Sequence, residues 1–539
     1  MTNLYSALLG ASLATPLAFL AACFVQRWRR HILALQWLAP IPSLVTALIG
    51  LTHAPMTADM PGLSITLRLD RAGALILTTT ALLWIIVGAG IWRDHKPDNR
   101  FGLCWLMTMT GNIGVFIAGD LVSFYLFYAL VSIPAYGLFA FSDDTERKRA
   151  GAIYMAFTIL GEALLLLAFA MLVVGAPHGS LRIDDVMAAL PTSSWRNAAL
   201  GLITAGFGMK VGMIPFNGWM PLTYSAAPIP AAAVLSGAGV KAGVIGLIYF
   251  LPLAAQLQGW GNALAIVGFV SALYGVVFGL TQRNPKVILA YSSISQMGVI
   301  TAALGMALVN GQTAASLNVA FYAANHLLVK AALFLAIGSL AKRDRGSSYT
   351  SLILAAVLAL GLAGLPLTGG ALAKLAFKAQ FASGPAAVFA TLSSIGTALL
   401  MTHFLIRLAV PLPGAARECP ASLIRSWHAV AFAAISLPWV FYPAVGNTSH
   451  ALEFGKILDG FWPVAVGAGL SLVLQRIGSP MPYVPVGDSV VFEERAFRRL
   501  LTIGPLFEVL EARLRQWPVA GVSLLLIILA LLTASVSRS

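Results

Sequence analysis

Charge is what this sequence has least of. Only 10% of its 539 residues are Asp, Glu, Lys or Arg, against about 25% in ordinary soluble domains, so an ordinary soluble domain is excluded. Cysteine is nearly absent. Cys23, Cys104 and Cys419 show no paired spacing, so neither a disulfide framework nor a cysteine metal cluster is indicated. Nothing in the chain reads as a phosphate-cradling loop, a flavin box or a nucleophile triad. The glycines of GFGMKVG (206–212) lack the preceding strand and the spacing of a dinucleotide fingerprint. No metal and no cofactor is expected in this chain, and no redox chemistry. Acidic residues are scarcer than basic ones, 20 against 34, giving a net charge of +14. The basic residues fall in short loops between apolar runs, which points to a bilayer rather than to nucleic acid.

Apolar residues are what the chain has in abundance, at 59% of the total with a mean hydropathy of +0.85. The expected fold is an all-α polytopic membrane protein of about 16 transmembrane helices. The apolar runs fall at 3–25, 31–52, 73–92, 101–119, 121–142, 150–175, 195–216, 229–253, 260–281, 286–309, 313–341, 350–378, 385–410, 426–446, 459–476 and 517–536, each near the ~20 residues that cross a bilayer. Loops after odd-numbered runs carry clusters such as Arg27/Arg29/Arg30, Arg147/Lys148/Arg149 and Lys342/Arg343/Arg345, while loops after even-numbered runs hold few basic residues. The positive-inside rule then puts the N-terminus outside and the odd loops in the cytoplasm. Leu20-Ala21-Ala22-Cys23 resembles a lipoprotein cleavage box, but the positive charges follow the apolar run instead of preceding it, so the first helix is expected to be retained.

The organising stretch runs from residue 206 to 250. It carries Lys210 and Lys241 inside apolar arms, with Pro215, Pro221, Pro228 and Pro230 between them. A lysine at bilayer depth costs about 2.5 kcal/mol or more and marks a bundle interior or an ion path. The competing reading is a lysine snorkelling to the interface from a helix end, which the long apolar arms on both sides of Lys241 disfavour. Prolines remove backbone donors and break helices, and broken helices beside buried charge are a transporter pattern.

A five-span block recurs, at 101–253 and again at 260–410. An odd number of spans inverts the second copy relative to the first. The fourth span of each block carries a lysine and a proline–glycine interruption: Lys210 with Pro215, and Lys374 with Pro366, Gly369 and Gly370. The third spans carry Glu162 in one block and His326 with Lys330 in the other. The expected organisation is an N-terminal three-helix region (1–100), the two blocks, and C-terminal helices (411–539). Residues 477–516 form a cytoplasmic segment of one or two amphipathic helices, or a plain connector, before the last span.

Five passages carry a resemblance: AGDLVSFYLFYALVSIPAY (118–136), MKVGMIPFNGWMPLTYSAAPIPAAAVLSGAGVKAGV (209–244), KVILAYSSISQMG (286–298), NHLLVKAALFLAIG (325–338) and GLPLTGGALAK (364–374). Through them the chain resembles the antiporter-like subunits shared by respiratory complex I, membrane-bound hydrogenases and multisubunit Mrp-type antiporters, and most nearly the D-type Mrp subunits. The resemblance implies a proton route through Lys210, Lys241, His326, Lys330 and Lys374. The chemistry suits those types, because a buried lysine releases its proton more readily than an exposed one and histidine titrates near neutrality. For each lysine the plainer reading is a structural charge on a helix end or carbonyl.

The departures from the family pattern are local. Ala129 stands where the family has the glutamate facing its first broken-helix lysine; Asn217 replaces a histidine; Leu222 and Tyr224 replace an acid and a second histidine. Glu162, in the sixth span, is the only carboxylate deep in an apolar run nearby, and it is expected to have taken over the role vacated at Ala129. The resemblance implies a multi-pass protein of the bacterial inner membrane that works with other membrane subunits and moves protons, with Na+ or another cation as the counter-ion. The lost acid favours an Mrp-type cation/proton antiport assembly. The alternatives are a proton-pumping member of a complex I-like oxidoreductase or membrane hydrogenase, and the membrane half of a two-component inorganic-carbon uptake system.

Overall fold

The computed structural model describes residues 2–60, 65–94, 98–141, 144–341, 348–378, 380–381, 384–410, 421–477, 484–487 and 490. Helices follow the apolar runs because a backbone in lipid must satisfy its own N–H and C=O groups. In chain order they are α1 (Thr2–Ala22), α2 (Gln26–Leu35), α3 (Ile41–His53), α4 (Arg71–Asp94), α5 (Asn99–Ile117), α6 (Leu121–Ser132) and α7 (Thr145–Gly175). Next come α8 (Ile183–Ala189), α9 (Arg196–Val211), α10 (Trp219–Ala226), α11 (Ile229–Val234), α12 (Lys241–Phe250), α13 (Gln258–Leu280) and α14 (Pro285–Asn310). The last are α15 (Ala315–Ala341), α16 (Ser348–Ala363), α17 (Gly369–Phe377), α18 (Gly384–Leu408), α19 (Ala421–Phe441), α20 (Thr448–Ala451) and α21 (Phe454–Ile477).

The protein is an all-α polytopic membrane protein. Among the described residues, 12 helical segments are long and apolar enough to cross a bilayer. The count of 16 read from sequence included three more, at α5, at α9 and at the α16–α17 pair. α5 carries more polar residues, and the other two are short because glycine and proline interrupt them. The run at 517–536, and most of the segment 477–516, lie outside the described residues.

Burial sorts the helices into centre and periphery. The segments Ile229–Phe250, Pro285–Asn310 and Ala315–Ala341 are wholly buried in protein, whereas those around α1, α7 and α21 are less than two-fifths buried. Polar side chains concentrate in the buried ones, away from lipid. Close backbone approach holds α13 against α14. A Cβ on Gly268 would lie 2.4 Å from the Ala302 nitrogen, on Gly261 2.6 Å from the Gly305 oxygen, and on Gly275 2.5 Å from the Tyr291 oxygen. Three glycines seven apart on one helix face give the small-residue contact typical of membrane helices.

Three features were not foreseen. Two strands, β1 (Met56–Met60) and β2 (Ile65–Leu69), pair antiparallel, with Met56 opposite Leu69. The strand pair is tied to α6 through Asp120, which accepts from the Thr66 N–H at 2.8 Å and caps the helix through the Ser123 N–H at 2.8 Å. Second, Pro228 and Pro230 begin α11 instead of interrupting it. They occupy its N-cap and first turn, where a missing N–H costs nothing. Third, the break in the Lys241 arm is a π-helical turn over Leu235–Gly239, two residues before Lys241. Such turns cluster at functional sites because they re-aim the side chains that follow.

Candidate functional site

α9 ends at Gly212, whose φ of +72° is a left-handed cap; glycine takes that conformation without the Cβ clash other residues meet. Pro215 follows, and the chain restarts as α10, with the Trp219 indole donating back to the Met209 carbonyl at 2.7 Å across the gap. Lys210 therefore sits in the last turn of α9, where the C-terminal end of the helix favours a cation. Its ammonium donates to Ser132 Oγ on α6 at 2.7 Å and lies 5.8–5.9 Å from the ring centroids of Tyr154 and Tyr128. Ser132 is one helical turn beyond Ala129. A hydroxyl thus meets this lysine close to where the family pattern has its glutamate.

Glu162 reaches the same place from α7. α7 and α9 cross closely at Gly161 and Gly206, where a Cβ on Gly206 would lie 3.0 Å from the Gly161 oxygen. Glu162 and Lys210 line one small cavity of about 10 Å³, with Ser132, Tyr154 and Thr158; that is the space of a single water. Glu162 is only 7% exposed, and its Oε1 has no hydrogen-bond partner among the described residues. A carboxylate oxygen left so is costly unless water or a cation meets it.

The centre of the molecule holds the next group. Lys241, His326 and Lys330 are each 0% exposed. Lys241 Nζ lies 3.0 Å from His326 Nδ1, so one of the two donates to the other. An ammonium donating to Nδ1 leaves the ring proton on Nε2, and Nε2 has no partner among the described residues. The ammonium of Lys330 donates to the Leu289 carbonyl of α14 at 2.9 Å. Tyr322, His326 and Lys330 are spaced by four on α15, which sets them on one face at steps of about 6 Å.

Tyr322 continues the polar row. Its hydroxyl donates to Gln296 Oε1 on α14, and the Gln296 amide donates to Thr397 Oγ1 on α18 at 3.0 Å. On α18 also stands Ser394, which accepts from Lys374 Nζ at 2.7 Å. Lys374 donates as well to the Ala363 carbonyl at the end of α16. Gly364, at φ +101°, Pro366 and Thr368 make the break, and the Thr368 hydroxyl caps α17, which opens with Gly369 and Gly370. A side chain on Gly370 has no room, because its Cβ would overlap the Gly361 oxygen. Lys210 precedes its break and Lys374 follows its own, so the two lysines stand on opposite sides of their interruptions.

The structure therefore brings Lys210 to Glu162 and Lys241 to His326, and sets Lys330 and Lys374 on neighbouring helices of the same buried region. Sequence reasoning missed Ser132, Ser394 and the Tyr322–Gln296–Thr397 chain. Isolated hydroxyls in apolar runs carry no distinguishing pattern, although Gln296 lies inside the passage AYSSISQMG that the resemblance rested on. Among the described residues, no three His, Cys, Asp or Glu side chains group as a metal site.

A bundle of broken helices around buried lysines defines a membrane ion-transfer fold, and comparison with known proteins gives the family. Residues 118–400 match the family described as NADH:quinone oxidoreductase/Mrp antiporter, TM, and the chain belongs to it. It is 30% identical over 377 residues to a probable K(+)/H(+) antiporter A/B subunit of Rhizobium meliloti, covering 64% of this chain and 37% of that one. It is 27% identical over 334 residues to hydrogenase-4 component B of Escherichia coli, covering 57% of this chain and 49% of that one. The chain thus spans half or less of the length of these two relatives. Its fold is shared with a chain of the Mrp complex from Dietzia sp., at a TM-score of 0.69 and 21% identity, covering 86% of this chain and all of that one.

Proposed function

We propose that the chain is a proton-translocating, antiporter-like subunit within a larger membrane complex of the bacterial inner membrane, with its N-terminus outside, and that the complex is of Mrp type. The observation that carries this reading is the contact of Lys241 with His326 at 3.0 Å inside wholly buried helices. Two titratable groups so placed, flanked by Lys330 and by the lysines of two broken helices, suit a stepwise proton hand-off better than they suit structure. A purely structural role would place unscreened positive charge where it costs several kcal/mol. In this reading the blocks 101–253 and 260–410 are inverted copies, protons enter and leave at the two breaks, and neighbouring subunits complete the counter-ion path.

Glu162 takes the part vacated at Ala129, since it shares a cavity with Lys210. A carboxylate there stabilises the ammonium when the proton is present and releases it when the neighbouring site is charged. The similarity to a hydrogenase component supports a second reading, an energy-coupling membrane protein beside redox partners. The protein composition of the purified native complex separates the two. The test of the proton role is uptake into vesicles containing that complex, followed with a pH-sensitive dye. Lys241→Ala is expected to abolish uptake with the chain still inserted, and uptake at the parental rate would refute the role.

A further inference from the structure

A cavity of about 400 Å³ opens beside the second broken helix. It is within the size range of sites for small organic ligands, about 300–1,000 Å³. It lies among α14, α15, α16, α17, α18, α19, α20 and α21, and most of its wall is apolar, including Leu367, Leu372, Phe381, Trp439 and Trp462. Three lysines, Lys374, Lys378 and Lys456, line it, and Asp459 is its one acid. Asp459 is matched by Lys378 at 3.4 Å, which leaves the lining with an excess of positive charge. A cation is repelled from such a space, and an apolar wall holds water poorly. An apolar slot with a cationic rim fits an anionic head on an apolar chain, the lysine stems packing along the chain while their ammonium groups meet the head.

We infer that this cavity binds a long-chain fatty-acid anion, with the carboxylate at Lys456 and the acyl chain running inward past Trp439 and Trp462. The inner wall includes Tyr322 and Lys374. Resting on the proton-path reading, an occupant there packs against the last lysine of the path and slows its exchange. Binding itself does not depend on that reading and is measured without a proton gradient.

The probe is stearate brominated on its chain, titrated into the full-length protein within its native complex in detergent, with tryptophan fluorescence as the readout. Bromine quenches indoles in contact with it, and two of the 12 tryptophans lie in the cavity wall. The expected result is saturable quenching of a fraction of the emission. Lys456→Gln should weaken it about tenfold, as loss of one charged contact does, and Ala387→Phe, which fills the slot, should remove it. The equally brominated stearyl alcohol should give no saturable phase. Equal saturation by acid and alcohol, quenching unchanged in Lys456→Gln, or displacement by phosphatidylglycerol better than by stearate would each overturn the assignment. Lys456 is a partly exposed residue at a helix start, so its variant folds even where the cavity-filling one does not.

Discussion

Lys210 has a neutral partner and a charged neighbour, and the two make different predictions. Ser132 Oγ accepts its hydrogen bond at 2.7 Å; a hydrogen bond to a charged group contributes about 1.5–3 kcal/mol. Ser132→Ala is expected to slow proton uptake at least fivefold, with Ser132→Thr restoring most of it. A merely structural serine would lose thermal stability in the alanine variant without that recovery of rate. Glu162 holds no direct hydrogen bond through Oε1, so its effect on Lys210 is electrostatic through the shared cavity. Glu162→Gln keeps the shape and removes the charge. It should impair uptake as severely as Lys210→Ala, and an unimpaired Gln variant would leave Lys210 working with serine alone.

Elements matter here through their interruptions and their close contacts. The π-helical turn at Leu235–Gly239 consists mostly of small residues and ends two residues before Lys241. A π turn carries one residue more than the α turn it replaces, so it sets the rotation of Lys241 toward His326. Deleting one residue of this turn, Ala238, should convert it to α-helix and rotate Lys241 away, with uptake lost although the chain inserts. The α13–α14 contact is of the other kind. With a Cβ on Gly268 meeting backbone at 2.4 Å, neither helix can give way by a side-chain rotation. Gly268→Leu is expected to force the pair apart and cost about 1–3 kcal/mol, the usual penalty of overpacking. It would be read as a lower melting temperature, with Gly268→Ala intermediate.

The whole molecule is arranged around charge that lipid would reject. Two of its three wholly buried helical segments carry Lys241, His326 and Lys330. The orientation proposed above rests on the distribution of basic loops and is open to direct measurement. After Cys23, Cys104 and Cys419 are replaced, cysteine at Lys148 should react with a membrane-impermeant thiol reagent only from the cytoplasmic side. Cysteine at Thr192 should react only from outside. Both positions are exposed in the structure. Labelling with the opposite sidedness would invert the proton route proposed above.

Hydropathy and the placement of Lys, Pro and Gly determined the class of fold, the order of most spans, and the buried basic residues Lys210, Lys241, His326 and Lys330. In lipid a long apolar run has almost one choice of structure, and a lysine within it has almost one place to point. What only the tertiary structure decided is who faces whom. Glu162 meets Lys210 because Gly161 and Gly206 let α7 and α9 cross there. Ser132 and Ser394 become lysine partners through contacts between helices 78 and 20 residues apart in the chain. Lys241 is aimed by a π turn that no proline announces, since Pro228 and Pro230 only start the helix before it. Helix formation is local and legible from periodicity and polarity. The meeting of side chains from different helices depends on rotation and crossing angle, which small residues set by how closely they let two backbones approach.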